Sequence, residues 1–290
     1  MVDAPPPPAG GGSDIGRLIG AAAAMTALAG RNLRTRGAVV LSYHDVGDDP
    51  GNHTGYYVSP AHLRMQLTTA QRCGLRFVDL VDLSEAFLAG RPLDGLAAVV
   101  FDDSLVGVHH HAVPVLLELG LPATVFAVTD RLGQSPAWWP GAARVMTEAE
   151  LVELVSLGFR ICSHSRTHVS LLEVRGPALS DEVAGSKAWL EDLLGSAVPL
   201  FAYPFGHYDG EATAATEEAG YRVAYSFLNG RIVSGMNRYR LPRLNMTARQ
   251  GRSRLAYHLA RPARSWPNTQ FDAVGPRPVP GPSAAAAPAP

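Results

Sequence analysis

Two apolar runs of the sequence end directly in side chains that can carry out metal or acid–base chemistry. One run leads into the adjacent carboxylates Asp102 and Asp103, and another leads into a segment that contains His164 and His168. Two carboxylates after a buried strand are costly unless something uses their charge. Two histidines four residues apart can converge on one metal ion, although such pairs are more often found on surfaces. Together the two segments indicate a metal or acid–base site.

Two further apolar runs end in residues that suit the same kind of site. Val39–Tyr43 leads into His44, and Leu200–Tyr203 leads into Phe205 within a Pro-Phe-Gly sequence that is typical of a tight turn. Each signal is weak by itself, because paired aspartates and single histidines are common in loops and helix caps. Their shared position after four apolar runs predicts that they face one mouth of the fold.

The elements that must position these residues alternate between strand and helix. Apolar, β-branched runs predict strands at Ala38–Tyr43, Ala97–Phe101, Ala123–Val128, Phe159–Cys162 and Leu200–Tyr203. The patterns between them predict helices at Pro60–Cys73, Leu83–Ala89, His110–Leu119, Thr147–Leu157, Ser180–Leu194 and Gly210–Ala219. This alternation predicts an α/β fold with a parallel sheet, either open or closed into a barrel. In such a barrel, polar residues at the carboxyl ends of strands are typical of a functional site.

The composition excludes several classes of protein. The chain has 290 residues, of which 47% are hydrophobic and 18% charged, so it is not a wholly disordered or fibrous protein. The formal net charge of −1 disfavours binding through phosphate contacts, and we expect no nucleic-acid partner. Two cysteines, Cys73 and Cys162, cannot form a disulfide scaffold or a zinc finger. The sequence has neither the Gly-x-x-x-x-Gly-Lys motif of many ATPases nor the Gly-x-Ser-x-Gly motif of many serine hydrolases.

The two ends of the chain differ from its middle. Residues 1–36 begin with a Pro/Gly-rich stretch that predicts disorder and continue into a short apolar run at 18–30. This run is too short for a strong membrane anchor. It fits either an Ala-rich helix or a weak export signal, so a cytoplasmic and an exported, envelope location both stay open. Residues 266–290 are rich in Pro and Ala and predict a disordered tail, which leaves one catalytic domain at 37–265.

The motifs of the middle region, taken in order, resemble those of the polysaccharide deacetylases of the NodB-homology type, carbohydrate esterase family 4. Phe101-Asp102-Asp103-Ser104 is similar to the family's first motif, usually Thr-Phe-Asp-Asp-Gly, and residues 163–168 are similar to its second, a His-Ser/Thr pair followed by a second His four residues after the first. Three further segments resemble signatures of the subgroup that acts on poly-N-acetylglucosamine. They are Tyr43–Val46, Phe201–Gly206 and Leu241–Arg243. The resemblance extends from Val39 to Met246.

This resemblance implies a fold, an activity and a set of residue roles. The fold would be a distorted (β/α) barrel of about seven parallel strands. The activity would be metal-dependent hydrolysis of N-acetyl groups on an N-acetylhexosamine-containing polysaccharide, with an acetylated glycan as the partner. The metal ligands would be Asp103, His164 and His168, the general base Asp102, the general acid His44, and part of the oxyanion site the backbone N–H near Phe205.

The donor set itself favours one kind of ion. Two imidazoles and one carboxylate suit zinc, with cobalt or nickel as alternatives, better than they suit calcium or magnesium, which prefer all-oxygen sites. A zinc-like ion lowers the pKa of bound water and polarises a carbonyl, which is the chemistry that amide hydrolysis needs. We therefore expect one divalent metal ion, with zinc as the first candidate.

Several residues have more than one interpretation. Ser104 occupies a position where the family usually has glycine, and a positive φ there would strain the turn. His258 is a reserve candidate for the general acid. Trp138 and Trp139 fit either the core or a platform for a sugar ring. Arg243 either pairs with an active-site carboxylate or closes the last strand.

Two other functions and one other metal site are alternatives to the metal-dependent deacetylase that the resemblance implies. The chain could hydrolyse a small amide as a member of the same superfamily, or it could bind a glycan after losing turnover. The run His109–His111 is interpreted as a helix face, because consecutive helical residues point about 100° apart and cannot all bind one ion. The sequence indicates no oligomeric state.

Overall fold

The computed structural model describes residues 36–47 and 56–260. Most of the predicted N-terminal segment at 1–36, with its apolar run at 18–30, lies outside these described residues. The predicted tail at 266–290 lies outside them as well. The division into two disordered ends and a catalytic domain at 37–265 therefore stays a prediction.

Ten strands are found in the described ranges. They are β1 Val39–Tyr43, β2 Asp45–Val46, β3 Tyr57–Val58, β4 Arg76–Phe77, β5 Leu96–Phe101, β6 Thr124–Ala127, β7 Arg160–Ser163, β8 Leu200–Ala202, β9 Val223–Asn229 and β10 Leu241–Asn245. Seven of them form a ring in the order β1-β10-β9-β8-β7-β6-β5, and the pairing of β5 with β1 closes it. All neighbours in this ring run parallel, with β4 added outside it next to β5 and a separate pair formed by β2 and β3. The expected (β/α) barrel is confirmed.

The register at the closure of the barrel aligns two of the predicted site segments. In the pairing of β1 with β5, Val39 lies opposite Ala97 and Tyr43 lies opposite Phe101. The next residues are His44 on one strand and Asp102 on the other, so both leave the barrel at the same level. The backbone N–H of Asp102 donates a 2.9 Å hydrogen bond to the carbonyl of Tyr43, which extends the pairing to the mouth.

Helices lie between the strands of the barrel, as the alternating pattern predicts. They are α1 Pro60–Arg72, α2 Leu80–Leu88, α3 Val113–Leu119, α4 Glu148–Ser156, α5 Gly176–Ser180, α6 Ser186–Leu194, α7 Gly210–Glu218 and α8 Arg252–Ala260. Two π-helical segments, Val108–Ala112 and Asp181–Gly185, lead into α3 and α6. Among the helices described, none combines the length and the apolar character that a membrane crossing requires.

Three helix starts differ from the sequence prediction. The helix predicted at Leu83–Ala89 begins at Leu80, because the Asp79 carboxylate caps it by accepting a 2.7 Å hydrogen bond from the N–H of Val81. The helix predicted at Ser180–Leu194 begins at Gly176, with a proline in its first turn. The helix predicted at His110–Leu119 is preceded by a wider π turn from Val108. Only the first of these starts has a side-chain cap, and the apolar periodicity reveals none of the three.

The barrel interior explains which strands the sequence predicts and which it misses. β1, β5 and β6 are buried along their whole length and contain mostly apolar residues, so each shows as a continuous apolar run. The strands β9 and β10 were not predicted. They carry Ser226, Pro242 and Arg243, whose polar or conformationally restricted character interrupts the apolar pattern. Arg243 is nevertheless fully buried.

Candidate active site

The first site segment is a strained turn at the end of β5. Asp103 has a φ of 67° and Ser104 a φ of 49°, so both adopt the left-handed conformation that glycine tolerates best. Such a conformation costs about 1–3 kcal/mol for a residue with a side chain, and the strain expected at Ser104 is therefore present. The turn is held by the N–H of Met146, which donates a 2.8 Å hydrogen bond to the carbonyl of Ser104. Its result is that the Asp103 carboxylate points into the mouth of the barrel.

The second site segment is the loop after β7, which we call the histidine loop and define as residues 164–168. It is not helical; Ser165 and His168 adopt positive φ values of 68° and 63°. The loop is fixed at its start, because the N–H of His164 donates to the carbonyl of Ala127 at 2.9 Å. The ring nitrogen Nδ1 of His164 lies 2.8 Å from the carbonyl of Ala202. This contact assigns the proton to Nδ1 and leaves the lone pair of Nε2 free to bind a metal ion.

The two segments bring three of the predicted residues together. The Oδ1 atom of Asp103 lies 3.5 Å from Nε2 of His164 and 3.0 Å from Nε2 of His168. One donor atom from each of the three side chains lies within 4.8 Å of the other two. Donors held at about 2.0–2.1 Å by a tetrahedral zinc ion stand roughly 3.3–3.4 Å apart. The observed separations therefore match the spacing that such an ion requires.

The local environment of Asp103 also suits a cation. Oδ1 is buried, and no N–H of the described residues is aligned to donate a hydrogen bond to it. Burial by itself would raise the pKa of Asp103, but the adjacent His168 and His164 rings outweigh it and hold that pKa well below its usual value. A buried acceptor without a donor is costly unless an ion or water meets it. Asp103, His164 and His168 thus fit a divalent metal ion.

The other aspartate of the pair is paired differently. Asp102 Oδ1 accepts a 2.6 Å hydrogen bond from Nη1 of Arg243, whose Nε donates to the carbonyl of Ser226 at 3.0 Å. Burial would raise the pKa of Asp102, but Arg243 and the rings of His164 and His44 together lower it below its usual value. Of the two interpretations of Arg243, the structure supports pairing with an active-site carboxylate.

His44 faces the free side of Asp102. Its Nε2 lies 3.9 Å from Oδ2 of Asp102, too far for a direct hydrogen bond. Burial lowers the pKa of His44, although the nearby Asp102 and Asp103 act in the opposite direction. The ring is surrounded by Tyr56, Phe227 and Trp139 at centroid distances of 5.1, 5.6 and 6.2 Å. This enclosure makes neutral imidazole the favoured form.

The third motif forms a tight turn beside His168. Phe205 has a φ of 57°, and its half-exposed ring lies 4.5 Å from the His168 ring between centroids. The next residue must be glycine, because a Cβ atom on Gly206 would lie 2.2 Å from Cβ of Phe227. Trp138 stacks on the other side of His168 at 4.2 Å between ring centroids. Trp138 and Trp139 therefore lie at the mouth and are not part of the core.

The remaining histidine candidates lie elsewhere or are otherwise engaged. His258 lies on α8, which packs against α1, and it is not among the groups that shift the pKa of His44. A second group of possible metal ligands consists of His109, His110 and Glu150. One ligand atom from each of these side chains lies within 4.8 Å of the other two. Both carboxylate oxygens of Glu150, however, accept 2.7 Å hydrogen bonds from Arg144. The second cluster is thus built around an ion pair, which favours the interpretation of this histidine run as a helix face.

Three residues around the site are not part of any recognisable motif in the sequence. Tyr56 and Phe227 enclose His44 but come from segments without a recognisable motif. Glu182 is buried against the histidine loop, although its place in a predicted surface helix would make it solvent-exposed. An unusually polar position on the inner face of that helix is the only signal that could have revealed it.

The family model described as polysaccharide deacetylase matches residues 89–224 of this chain. The match includes both aspartates after β5, both histidines of the histidine loop and the turn at Phe205. Over this segment the chain is similar to the polysaccharide deacetylase family. The metal-fitting triad thus lies within the family's own segment.

Two curated members of the family illustrate the relationship. The polysaccharide deacetylase homologue YxkH of Bacillus subtilis is 25% identical over 157 residues, which are 54% of this chain and 53% of the relative. The chain therefore spans about half the length of that polysaccharide deacetylase. The poly-β-1,6-N-acetyl-D-glucosamine N-deacetylase of Staphylococcus aureus is 20% identical over 198 residues, which are 65% of this chain and 67% of the enzyme.

Solved structures of deacetylases share the fold. The deacetylase PplD of Streptococcus pyogenes, solved with acetate, matches with a TM-score of 0.68 and 19% identity over 78% of this chain and 99% of its own. IcaB from Ammonifex degensii matches with a TM-score of 0.68 and 23% identity over 79% of this chain and 99% of its own. These similarities support the (β/α) barrel of the polysaccharide deacetylases.

Proposed function

We propose that this protein hydrolyses N-acetyl groups of an N-acetylhexosamine-containing polysaccharide and that it does so with a divalent metal ion, zinc in the first place. The observation that carries the proposal is the convergence of Asp103 Oδ1 with the Nε2 atoms of His164 and His168. The similarity of residues 89–224 to the polysaccharide deacetylases supports the same reaction class. The name of the staphylococcal relative makes poly-β-1,6-N-acetylglucosamine the first substrate to test.

Asp103, His164 and His168 would hold the ion at the mouth of the barrel. When bound, such an ion supplies a Lewis acid that polarises the acetyl carbonyl and makes water a stronger nucleophile. Three protein ligands leave room for water and substrate, as catalytic zinc sites require. The hydrogen bond from His164 Nδ1 to the carbonyl of Ala202 would keep one ligand oriented before the ion arrives.

Asp102 would act as the general base. Arg243 keeps this carboxylate ionised and fixes one oxygen by the 2.6 Å hydrogen bond to Oδ1. The second oxygen, Oδ2, faces the side on which His44 lies. An ionised carboxylate held in one orientation is ready to accept a proton from the attacking water.

His44 would act as the general acid, and the backbone N–H near Phe205 would stabilise the oxyanion. Burial lowers the pKa of His44, so the ring is neutral at rest, and the proton that it delivers to the departing amine would be the one that the attacking water gives up to Asp102. The positive φ of Phe205 belongs to a tight turn, and the ring of Phe205 lies 4.5 Å from the ring of His168. A fixed N–H at this place would add to the stabilisation of negative charge in the transition state.

The aromatic residues at the mouth support a sugar as substrate. Four aromatic rings present faces or edges to His44 and His168. They belong to Trp138, Trp139, Phe205 and Tyr56. Rings of this kind stack on the apolar faces of sugars while leaving polar edges accessible. A glycan chain therefore suits this mouth better than a small charged molecule.

The proposal is tested by measuring metal content and acetate release on the same preparation. We expect one equivalent of divalent metal and acetate release from β-1,6-linked N-acetylglucosamine oligomers, with less release from a small amide such as acetanilide. Asp103→Ala protein serves as the matched control. Release from the small amide alone would favour the other superfamily activity. Glycan binding without any release, after zinc, cobalt and nickel have each been added, would contradict the proposed reaction.

A further inference from the structure

The histidine loop is held from behind by one buried carboxylate. Oε2 of Glu182 accepts hydrogen bonds from the backbone N–H groups of Arg166 and Thr167, each at 3.0 Å. Oε1 of the same side chain accepts a 2.6 Å hydrogen bond from the hydroxyl of Thr167. Glu182 is 8% exposed, so its carboxylate is largely shielded from water and accepts its hydrogen bonds from three donors of a single loop. Hydrogen bonds that backbone N–H groups donate to a charged acceptor are stronger than neutral ones.

The loop needs such support because its backbone is strained at both ends. Ser165 and His168 have positive φ values and flank the two residues that Glu182 holds. Strained conformations persist only where surrounding structure fixes them. Part of that support comes from the carbonyl of Arg166, which accepts a 2.8 Å hydrogen bond from the N–H of Asp130. The two N–H groups at the tip of the loop are left to Glu182.

The helix that carries Glu182 is shaped to approach the loop. Glu182 lies in the π-helical segment Asp181–Gly185, and such wide turns occur frequently at functional sites. Gly185, in the same segment, lies against the side chain of Arg166, since a Cβ atom there would lie 3.1 Å from Cδ of Arg166. The Arg166 guanidinium does not neutralise Glu182; it pairs with Asp130 and Asp181. Glu182 is therefore committed to the loop backbone.

We infer that Glu182 is a positioning residue for the metal centre. By fixing the tip of the histidine loop, its carboxylate aims the rings of His164 and His168 at the same oxygen of Asp103. The inference rests on the proposed function, because it assigns a task to Glu182 only if these three side chains hold a metal ion. Supporting residues of this kind typically change metal affinity by 10–100-fold when they are replaced.

The test compares zinc affinities of the full chain and three variants by competition with a chelator of known affinity. Glu182→Met keeps the volume of the side chain but has no carboxylate, and we expect zinc affinity to fall at least about tenfold. Glu182→Gln keeps an oxygen that can accept from both N–H groups, and we expect it to restore affinity to within about threefold of the wild type. The matched control is Asp181→Ala, which removes an exposed ion pair to the same loop residue and is expected to leave affinity unchanged.

Hydrogen exchange on the metal-free wild type provides a measurement that needs no variant. The amide protons of Arg166 and Thr167 are expected to exchange slowly before any metal is added, because Glu182 already binds them. Exchange at the rate of an unstructured loop would overturn the inference, even if Glu182→Met failed to fold. Wild-type zinc affinity in Glu182→Met, or an equal loss in Asp181→Ala, would also overturn it while leaving the proposed function in place. A wild-type chain that binds no zinc would remove the proposed function and this inference together.

Discussion

Arg243 Nη1 donates a 2.6 Å hydrogen bond to Asp102 Oδ1, and the two side chains are 0% and 2% exposed. The contact joins β10 to the end of β5 through the barrel interior, across 141 residues of sequence. Because a buried carboxylate without a partner would become protonated, this pair decides whether Asp102 can serve as a base. Its other oxygen, Oδ2, is left on the side of His44.

Replacing the arginine is expected to move the pH dependence of the reaction. In Arg243→Gln, burial is no longer opposed by the guanidinium, so the pKa of Asp102 rises. A base must be ionised, and the acid limb of the kcat/KM profile should therefore shift to higher pH by about 1–3 units. The surface variant Arg238→Gln, which loses an exposed pair with Glu217 and a cation–π contact with Tyr239, is the control. An acid limb that stays at the same pH in Arg243→Gln would contradict this prediction.

Removal of the proposed ligand carboxylate should abolish metal binding. Asp103→Ala takes away the oxygen that both histidine rings approach, so we expect no stoichiometric metal after purification and no acetate release. Metal content is measured by elemental analysis. A variant that retains one equivalent of metal would show that Asp103 is not a ligand.

The neighbouring aspartate should behave in the opposite way. Asp102→Asn keeps the shape of the side chain and does not change the triad, so metal content should stay at the wild-type level. Loss of the proton acceptor should lower kcat by about 10²–10⁴-fold. Comparison with Asp103→Ala separates the two roles within one Asp-Asp pair. Undiminished kcat in Asp102→Asn would exclude the base role.

His44→Ala tests the proposed general acid. We expect metal to be retained and loss of the amine product to be slowed by about 10²–10⁴-fold, because Nε2 of His44 is the ring nitrogen that lies 3.9 Å from Oδ2 of Asp102. His258→Ala, on the outer helix α8, is the control and should have wild-type kinetics. If His258→Ala were slowed and His44→Ala were not, the acid role would pass to His258.

Asp45 gives a pH dependence of stability whose main cause is burial, with a smaller contribution from the charge of Asp103. Its Oδ1 accepts a 2.9 Å hydrogen bond from the N–H of Val46, but burial dominates and raises its pKa from 3.8 to about 6. The folded state thus favours protonated Asp45, and this stabilisation is lost as the pH rises through about 6. Asp45→Asn cannot ionise and does not lose this stabilisation. The difference in unfolding free energy between the variant and the wild type should therefore grow by about 3 kcal/mol, in favour of the variant, as the pH rises from 4 to 7. Parallel curves from urea unfolding across that range would contradict the prediction.

The sequence predicts much of the barrel because parallel strands that are buried on both faces show as continuous apolar runs. It also indicates the triad, since His164, His168 and Asp103 directly follow such runs. It does not reveal the conformation that brings the rings together, which depends on left-handed residues and not on a helix. Arg243 shows the other limit. A buried charge is recognisable only with its partner, and that partner lies on a distant strand.

Glu182 shows the same limit for supporting residues. In the sequence it is a charged residue within a helical pattern, a context that is typical of a solvated face. Its burial follows from the π-helical segment and from the path of the histidine loop, both of which are tertiary features. Local pattern therefore finds the residues that touch the proposed ion more readily than those that orient them.

The closure of the ring has a consequence for synthesis. β1 pairs with β5 on one side and with β10 on the other. The first strand of the ring therefore has one uncovered edge until β10, the last strand of the ring, has been made. A nascent chain that ends before Leu241 has an open seam beside β1 and no guanidinium for Asp102. Contacts between such distant residues form slowly. Chaperone demand should therefore last until β10 has been made, long after the chain contains every proposed metal ligand.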